Sequence, residues 1–391
     1  MNLKEKLRGI KVAKPGATPL WAGPSGEGRN GGVTFSLLGK FLACRARFKV
    51  QAVDGLKPHQ TFSHKAEYGQ MWHTCEEHYA AGNGWQAALA TFTAALTKQY
   101  PLEGAQVSKW SAVCRQAFPV YLNYWQGEEK RNKVAHLYQE KVFDLPYRLP
   151  SGRVVRLRGK MDGVDLLEKD PPGTYLFETK TKGNVDEGLL QRQLLFDLQT
   201  MLYLVVLDTW QELPHKLRGV RYNCIRRPLS GGKGTITQRK PTRGSKCGKC
   251  KGNGYGPAGI PRTCPKCRGQ GRTGGKPGET ATAYYDRLGG IIAASPSDYF
   301  YRWHVAVTPL DLQRFKDTFL NPVLEQMAWW YDTVVLGKTV PLPAYAATWR
   351  LPYGVRSYVD EAGDLDVAEH LTSGSTVGLR RVDTLFPELE V

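Results

Sequence analysis

Residues 158–183 read RGKMDGVDLLEKDPPGTYLFETKTKG, two apolar-patterned runs on either side of a polar, proline-containing break. That is the pattern of two β-strands joined by a turn. With the turn centred near Asp170 and Pro171, an antiparallel pairing places Asp162 opposite Thr179 and within one residue of Glu178, and a slip of one residue would change the partner. Glu178 and Lys180 share a strand face by the two-residue period, so Asp162, Glu178 and Lys180 are expected to converge. Two carboxylates at one point suit Mg²⁺ or Mn²⁺, and an ammonium beside them orients a water and offsets developing phosphate charge. The chemistry this favours is phosphodiester hydrolysis. An exposed hairpin with a Glu–Lys ion pair would show the same short pattern, but Leu176 and Phe177 run directly into Glu178. Charge in a buried strand is costly unless it binds something. Asp165 competes with Asp162 for the first acidic role.

Outward from the hairpin, LYQEKVFDLPY reads as a preceding strand, and the chain before it is helical. Residues 35–48 (FSLLGKFLACRARF, with Ser36 as a candidate cap), 62–79, 84–97 and 107 to about 124 carry helical periodicity. After the hairpin, residues 184–206 are helical, with Leu190, Leu194, Leu198, Met201, Leu202 and Val205 on one face. A strand (GVRYNCIRR), a short stretch at 284–288, another strand (YRWHVAVT) and a long helix from Leu310 to about Val335 follow. This order predicts one α/β domain rather than two similar halves. The expected organisation is a loosely held arm at 1–32, a core at 33–230, an insert at 231–278, completion of the core at 279–340 and an irregular extension at 341–391.

The insert cannot build a conventional core, because its 48 positions hold 14 Gly and four Cys and show no apolar face. It contains CGKCKGNG from Cys247 and CPKCRGQG from Cys264, two copies of C-x-x-C-x-G-x-G. Each knuckle presents two thiolates, and Cys247, Cys250, Cys264 and Cys267 together make the four-sulfur shell of a structural Zn²⁺. Redox-active dithiols fit symmetric, Gly-flanked knuckles less well. Cys44, Cys75, Cys114 and Cys224 sit singly on apolar segments, as ordinary buried thiols do. The net charge of +18 comes from 54 Lys and Arg against 36 Asp and Glu, and residues 213–278 hold 17 of the basic residues and no acidic one. Charge so concentrated points to a polyanion, nucleic acid above all; the segment has no amphipathic basic helix that would favour a membrane. The N-terminus lacks the apolar region of a signal peptide, and no apolar run approaches the roughly 20 residues of a membrane helix, so a soluble, non-secreted protein is expected. No G-x-x-x-x-G-K-[ST] motif occurs, so ATP-driven unwinding would need a separate helicase or recombination protein.

Gly159, Asp162, Glu178, Lys180 and Thr181 together resemble the PD-(D/E)XK nuclease superfamily, in which a Gly-x-x-Asp strand leads to an (Asp/Glu)-x-Lys-Thr strand. More narrowly they resemble its RecB-like and Cas4-like exonuclease branch, of phage and bacterial type. Tyr68 to His73 looks like the helix that presents a metal-binding His, Gln199 to Tyr203 matches the branch's Gln-x-x-x-Tyr motif, and Glu140 matches a less constant acidic position. The resemblance covers roughly residues 35–308 and implies a restriction-endonuclease-like α/β core with a helical N-terminal part and a small inserted zinc module. It further implies a DNA nuclease working with Mg²⁺ or Mn²⁺, an exonuclease in processing, recombination or repair, with endonuclease action as the alternative. His73, Asp162, Glu178 and the backbone oxygen of Thr179 would hold the ion, Lys180 would position the attacking water, and Gln199 and Tyr203 would position DNA. Tyr299, Phe300 and Trp303 are candidates to stack on bases. Cys44 resembles the first cysteine of the iron-sulfur members, but the late cysteines lack their terminal spacing, which argues against a 4Fe-4S cluster. The zinc unit resembles the repeats of the DnaJ co-chaperones, with two copies where those carry four. The expected location is the cytoplasm of a bacterial or phage-infected cell. A nonenzymatic nucleic-acid-binding adaptor is the reading from another class; the retained acidic pair and lysine argue against it, since an adaptor has no use for mutually repelling carboxylates.

Overall fold

The computed structural model describes residues 18–338, except 60, 170, 195–196, 211–212, 230–234, 254, 256–262 and 269, together with 370 and 373–389. The chain begins with α1 (Phe35–Ala43) and α2 (Arg45–Phe48), a short strand β1 (Leu56–Pro58), and three helices, α3 (His64–Ala80), α4 (Trp85–Gln99) and α5 (Gly104–Asn132). The expected single helix at 35–48 is broken at Cys44, whose backbone is extended and whose sulfur accepts from the Arg47 amide, capping α2. The α1 cap is Thr34 rather than Ser36: its hydroxyl accepts from the Leu37 amide.

Next come β2 (Val134–Arg148), β3 (Val154–Leu167), β4 (Gly173–Lys182), α6 (Glu187–Leu194), α7 (Leu198–Asp208) and β5 (Leu217–Arg226). The insert carries the small β6 (Ser245–Lys246) and β7 (Arg272–Thr273), and α8 (Ala281–Ala294) leads into β8 (Phe300–Ala306). One mixed sheet has the order β2-β3-β4-β5-β8. All its pairings are antiparallel except β4 with β5, which α6 and α7 connect, as a parallel pair requires a long crossover. The helical stretch expected at 184–206 is two helices because Asp197 caps α7, its carboxylate accepting from the Thr200 amide at 3.0 Å.

The sheet separates two cores. Leu37, Phe41, Leu157, Leu176, Leu202 and Trp330 belong to one, and Tyr68, Trp72, Leu89, Trp110, Phe118 and Phe300 to the other. Buried on both faces, β4 runs apolar from Tyr175 to Phe177 and then delivers Glu178 into the interior. The long C-terminal helix predicted from Leu310 is a continuous run whose α9 (Pro309–Phe315) and α10 (Asn321–Trp330) are separated and followed by π-helical turns.

Both expected loose ends differ from expectation where they are described. Trp21 is fully buried, donates from its indole to the Gly32 carbonyl, and packs edge-on against Phe48 and Tyr331. A large aromatic in a Gly/Pro-rich stretch thus anchors residues 18–32 rather than leaving a free arm. Near the other end, β9 (Leu379–Arg381) pairs with β1, and Leu385 and Phe386 enter the first core. Residues 341–369, 371–372 and 390–391 of the expected extension lie outside the described residues. Tyr299 and Phe300 are 3% and 2% exposed, so they are core residues and not free to stack on bases; Trp303 lies against Tyr301 at 5.9 Å.

Candidate active site and cysteine cluster

The β3–β4 register is Gly163 opposite Phe177, one residue from the expected pairing. It puts Asp162 level with Glu178, and the Thr179 amide donates to Asp162 Oδ2 at 2.8 Å. On β2, Gln139 pairs with Gly163 and Lys141 with Met161, so Glu140 falls level with Asp162 from the other side. Glu140 has a left-handed backbone, φ 46, which for a non-glycine residue inside a strand costs about 1–2 kcal/mol. His73 reaches the same place from α3, its Nδ1 3.8 Å from both Asp162 Oδ2 and Glu140 Oε1. Side-chain ligand atoms of His73, Glu140 and Asp162 all lie within 4.8 Å of one another, a spacing that one divalent ion would bridge.

Glu178 is 1% exposed, and its Oε2 has no hydrogen-bond partner. A buried, orphaned carboxylate oxygen is expensive unless an ion or proton meets it. Its Oε1 accepts from Lys180 Nζ at 2.6 Å, and Lys180 also donates to Gln199 Oε1 at 2.7 Å. Tyr203, hydrogen-bonded to Gln199 and 6% exposed, packs on Phe143. The Gln199 and Tyr203 pair therefore sits behind Lys180 and holds its ammonium. Gly159 permits this packing: a Cβ there would lie 2.5 Å from Phe143 Cζ and 3.2 Å from Tyr203 Cε1.

Burial first and the Asp162 charge second push Glu178 up to about 8 against the pull of Lys180. Burial and Asp162 likewise raise Glu140 to about 7, opposed by Lys160 and His73. Burial lowers Lys180 and His73, but the surrounding carboxylates outweigh it and raise both above their ordinary values. The cluster is thus short of cations, a condition that a divalent ion corrects.

Two contributors escaped sequence reading. Glu76, one turn after His73, has Oε2 4.0 Å from His73 Nδ1 and Oε1 accepting from Tyr121 and Asn223 at 3.1 Å each. Its signal was the three-residue spacing from His73, which alone is too common to read. Lys160 Nζ holds Glu140 Oε2 at 2.6 Å. Asp165, the competitor for the first acidic role, is fully buried between His136 and Arg221 at 2.7 Å each. Although burial opposes it, the His136 hydrogen bond and the Arg221 charge hold its carboxyl below the ordinary range; it is spent on an internal ion pair.

The left-handed Glu140 gives a thermodynamic expectation. Glu140→Gly unfolds at a free energy about 1 kcal/mol higher than Glu140→Ala, because only the alanine keeps a Cβ in the left-handed region. Both variants lose the same carboxylate. Equal urea-unfolding free energies for the two would mean that the conformation carries no strain.

The four module cysteines form a second, separate cluster. All are buried, with Cys247 and Cys264 sulfurs 3.8 Å apart and Cys250 and Cys267 sulfurs 3.6 Å apart. A tetrahedral shell with metal–sulfur bonds of about 2.3 Å has sulfurs about 3.8 Å apart. The two knuckles repeat each other: Lys251 and Arg268 both take φ 50, and the Asn253 and Gln270 amides donate to the Cys250 and Cys267 carbonyls at 3.0 Å. Cys44 is not part of this group.

Carboxylates from three neighbouring strands, a helix-borne imidazole and one pinned ammonium on a mixed sheet define, as a class, a nuclease that works with divalent ions. The family model of the PD-(D/E)XK nuclease superfamily matches residues 33–304, more than two-thirds of the chain, and the chain belongs to that superfamily. No curated protein matches the sequence. Among the described residues no helix is long and apolar enough to cross a membrane.

Proposed function

We propose that the protein is a divalent-metal-dependent deoxyribonuclease, acting as an exonuclease on DNA in processing, recombination or repair. The observation that carries this reading is the orphaned Oε2 of buried Glu178 beside His73, Glu140 and Asp162. Those four side chains would hold Mg²⁺ or Mn²⁺. The Thr179 carbonyl would join them: its amide already faces Asp162, and in an antiparallel pair the amide and carbonyl of one residue face the same neighbour. When bound, the ion polarises the scissile phosphate and lowers the pKa of the attacking water.

The chain's own groups do the positioning. Lys180 has three N–H donors; two are committed to Glu178 and Gln199, and the third would serve the water or a phosphate oxygen. Its raised pKa keeps it an ammonium, suited to hold a water and offset charge rather than to remove a proton. Gln199 and Tyr203 fix that ammonium.

The cysteine module would carry a structural Zn²⁺, since four sulfurs leave no open position for catalysis. Its Lys and Arg residues would grip phosphates without reading sequence. DNA is the proposed partner, with unwinding supplied by a separate helicase or recombination protein, and the proposed setting is the cytoplasm of a bacterial or phage-infected cell. The resemblance of the Gln199 to Tyr203 motif to the RecB-like branch supports the exonuclease preference. The test is cleavage in Mg²⁺ of linear duplex, end-blocked linear duplex, closed circular and single-stranded DNA in parallel. Digestion that requires a free end is expected. Cutting of the closed circle would make the enzyme an endonuclease, and no cleavage of any substrate would favour the adaptor reading.

A further inference from the structure

Beside the carboxylate cluster lies a cavity that the cleavage chemistry leaves unused. Glu76, Tyr79, Phe118, Tyr121, Gln139 and Phe177 form its wall. His73, Glu76 and Tyr79 follow at three-residue spacing on α3, so they stand on one side of the helix. Tyr79 is then about 9 Å along the axis from His73, a span on the scale of one nucleotide. On the facing strand, Gln139 immediately precedes Glu140. Glu76 forms part of the wall and stands 4.0 Å from His73 Nδ1, so the cavity adjoins the proposed ion site.

Its aromatic wall is fixed. Phe118, Tyr121 and Phe177 are buried, and Phe118 and Tyr121 lie nearly parallel at 5.9 Å. Tyr79 stands edge-on to Phe118 at 6.2 Å and is itself exposed. Among the described large apolar side chains left exposed, only Tyr79 and Tyr255 are aromatic, and Tyr79 is the one at the cluster.

Charge decides what fits. Although the chain carries a net +18, the cavity lining contains Glu76, Glu129 and His136 and neither Lys nor Arg. The lining therefore offers a phosphate no basic side chain to pair with. The carboxylates are already engaged, Glu76 by Tyr121 and Asn223 and Glu129 by Arg302, while the Gln139 amide offers both a donor and an acceptor. A flat, uncharged ring with a polar edge satisfies these conditions.

We propose that the mouth of this half-open cavity receives the edge of a nucleobase of the strand whose phosphate is cut at the His73, Asp162 and Glu178 cluster, with the base's face on the exposed Tyr79 and its edge toward Gln139. The inference rests on the nuclease reading and adds a substrate requirement to it. Stacking on an aromatic ring tolerates any base, so the subsite selects for an unpaired base rather than for its identity. It favours single-stranded or frayed DNA ends.

The test uses the full-length chain bearing Glu178→Gln, to prevent cleavage, with Ca²⁺ present and single-stranded oligonucleotides in which an abasic site is moved along the strand. One abasic position is expected to weaken binding about tenfold, the loss of one base stack. Tyr79→Ala in that background abolishes the difference between intact and abasic strands, and Tyr79→Trp preserves it. Thermal unfolding confirms that both variants are folded. An abasic site without effect at every position, or a Tyr79→Ala loss equal for intact and abasic strands, overturns the subsite. Wild-type cleavage in Mg²⁺ is measured alongside: cleavage with no abasic effect sinks the subsite alone, whereas no cleavage and no DNA binding sinks the nuclease reading and the subsite with it.

Discussion

Asp162→Asn and Glu178→Gln each lower Mg²⁺-dependent DNA cleavage about a thousandfold or more, while the protein remains folded. Each variant removes one charged ligand from a site whose ion supplies several kcal/mol of transition-state stabilisation, and about 4 kcal/mol corresponds to three decades in rate. The amide variants are preferable to alanine here. Asp162 Oδ2 accepts from the Thr179 amide, and asparagine keeps an oxygen for that bond where alanine would leave a donor unmet. Glu178→Gln also relieves the burial of a charge and the opposition of Asp162, which together raise Glu178 to about 8, so thermal stability without metal should be retained or improved. Asp162→Asn protein cleaving at the wild-type rate would remove Asp162 from the site.

Cys250→Ser abolishes stoichiometric zinc. Wild-type protein is expected to carry one zinc per chain by elemental analysis, and the variant none or a small fraction of it. A four-thiolate zinc contributes on the order of 10–16 kcal/mol of apparent folding free energy in small modules, far more than the few apolar contacts of this Gly-rich segment can replace. The variant should therefore be cut by protease within residues 231–278 while the sheet stays protected. Asp162, Glu178 and Lys180 belong to that sheet, so residual cleavage of DNA survives. Zinc-free wild-type protein with the absorption of an iron-sulfur cluster would overturn the assignment.

The strand that carries Glu178 and Lys180 was legible because its signal is local: a period of two, an apolar approach and a proline-containing turn. Its register was legible only to one residue, because the loop length does not determine which residue of β3 meets which of β4, and the observed Gly163 to Phe177 pairing depends on packing. Cys44 shows the limit of periodicity. The apolar pattern of residues 35–48 continues through it, while its sulfur and extended backbone end one helix and begin another.

Trp21 misled for a related reason: composition marked residues 1–32 as loose, and one aromatic docking between Phe48 and Tyr331 reversed that for the described part. Glu76 and Lys160 join the cluster through tertiary contacts to His73 and Glu140 that no spacing encodes. The choice between Asp162 and Asp165 likewise turned on a distant residue, since Arg221 on β5 claims Asp165. Phe300 looks like a stacking candidate in sequence because a strand aromatic has the same pattern whether it faces solvent or a helix; here it faces Trp72 and Tyr121.

The central claim is that His73, Glu140, Asp162 and Glu178 hold a catalytic divalent ion. Its most direct test is a Mn²⁺ titration followed by electron paramagnetic resonance on zinc-loaded wild-type and Asp162→Asn protein, with DNA cleavage assayed in the same samples. The account predicts saturable Mn²⁺ binding by the wild type with cleavage rising in step with occupancy, and weakening of both together in Asp162→Asn. Cleavage that proceeds in wild-type protein without bound Mn²⁺ or any other divalent ion, or Mn²⁺ binding and cleavage unchanged in Asp162→Asn, would contradict it.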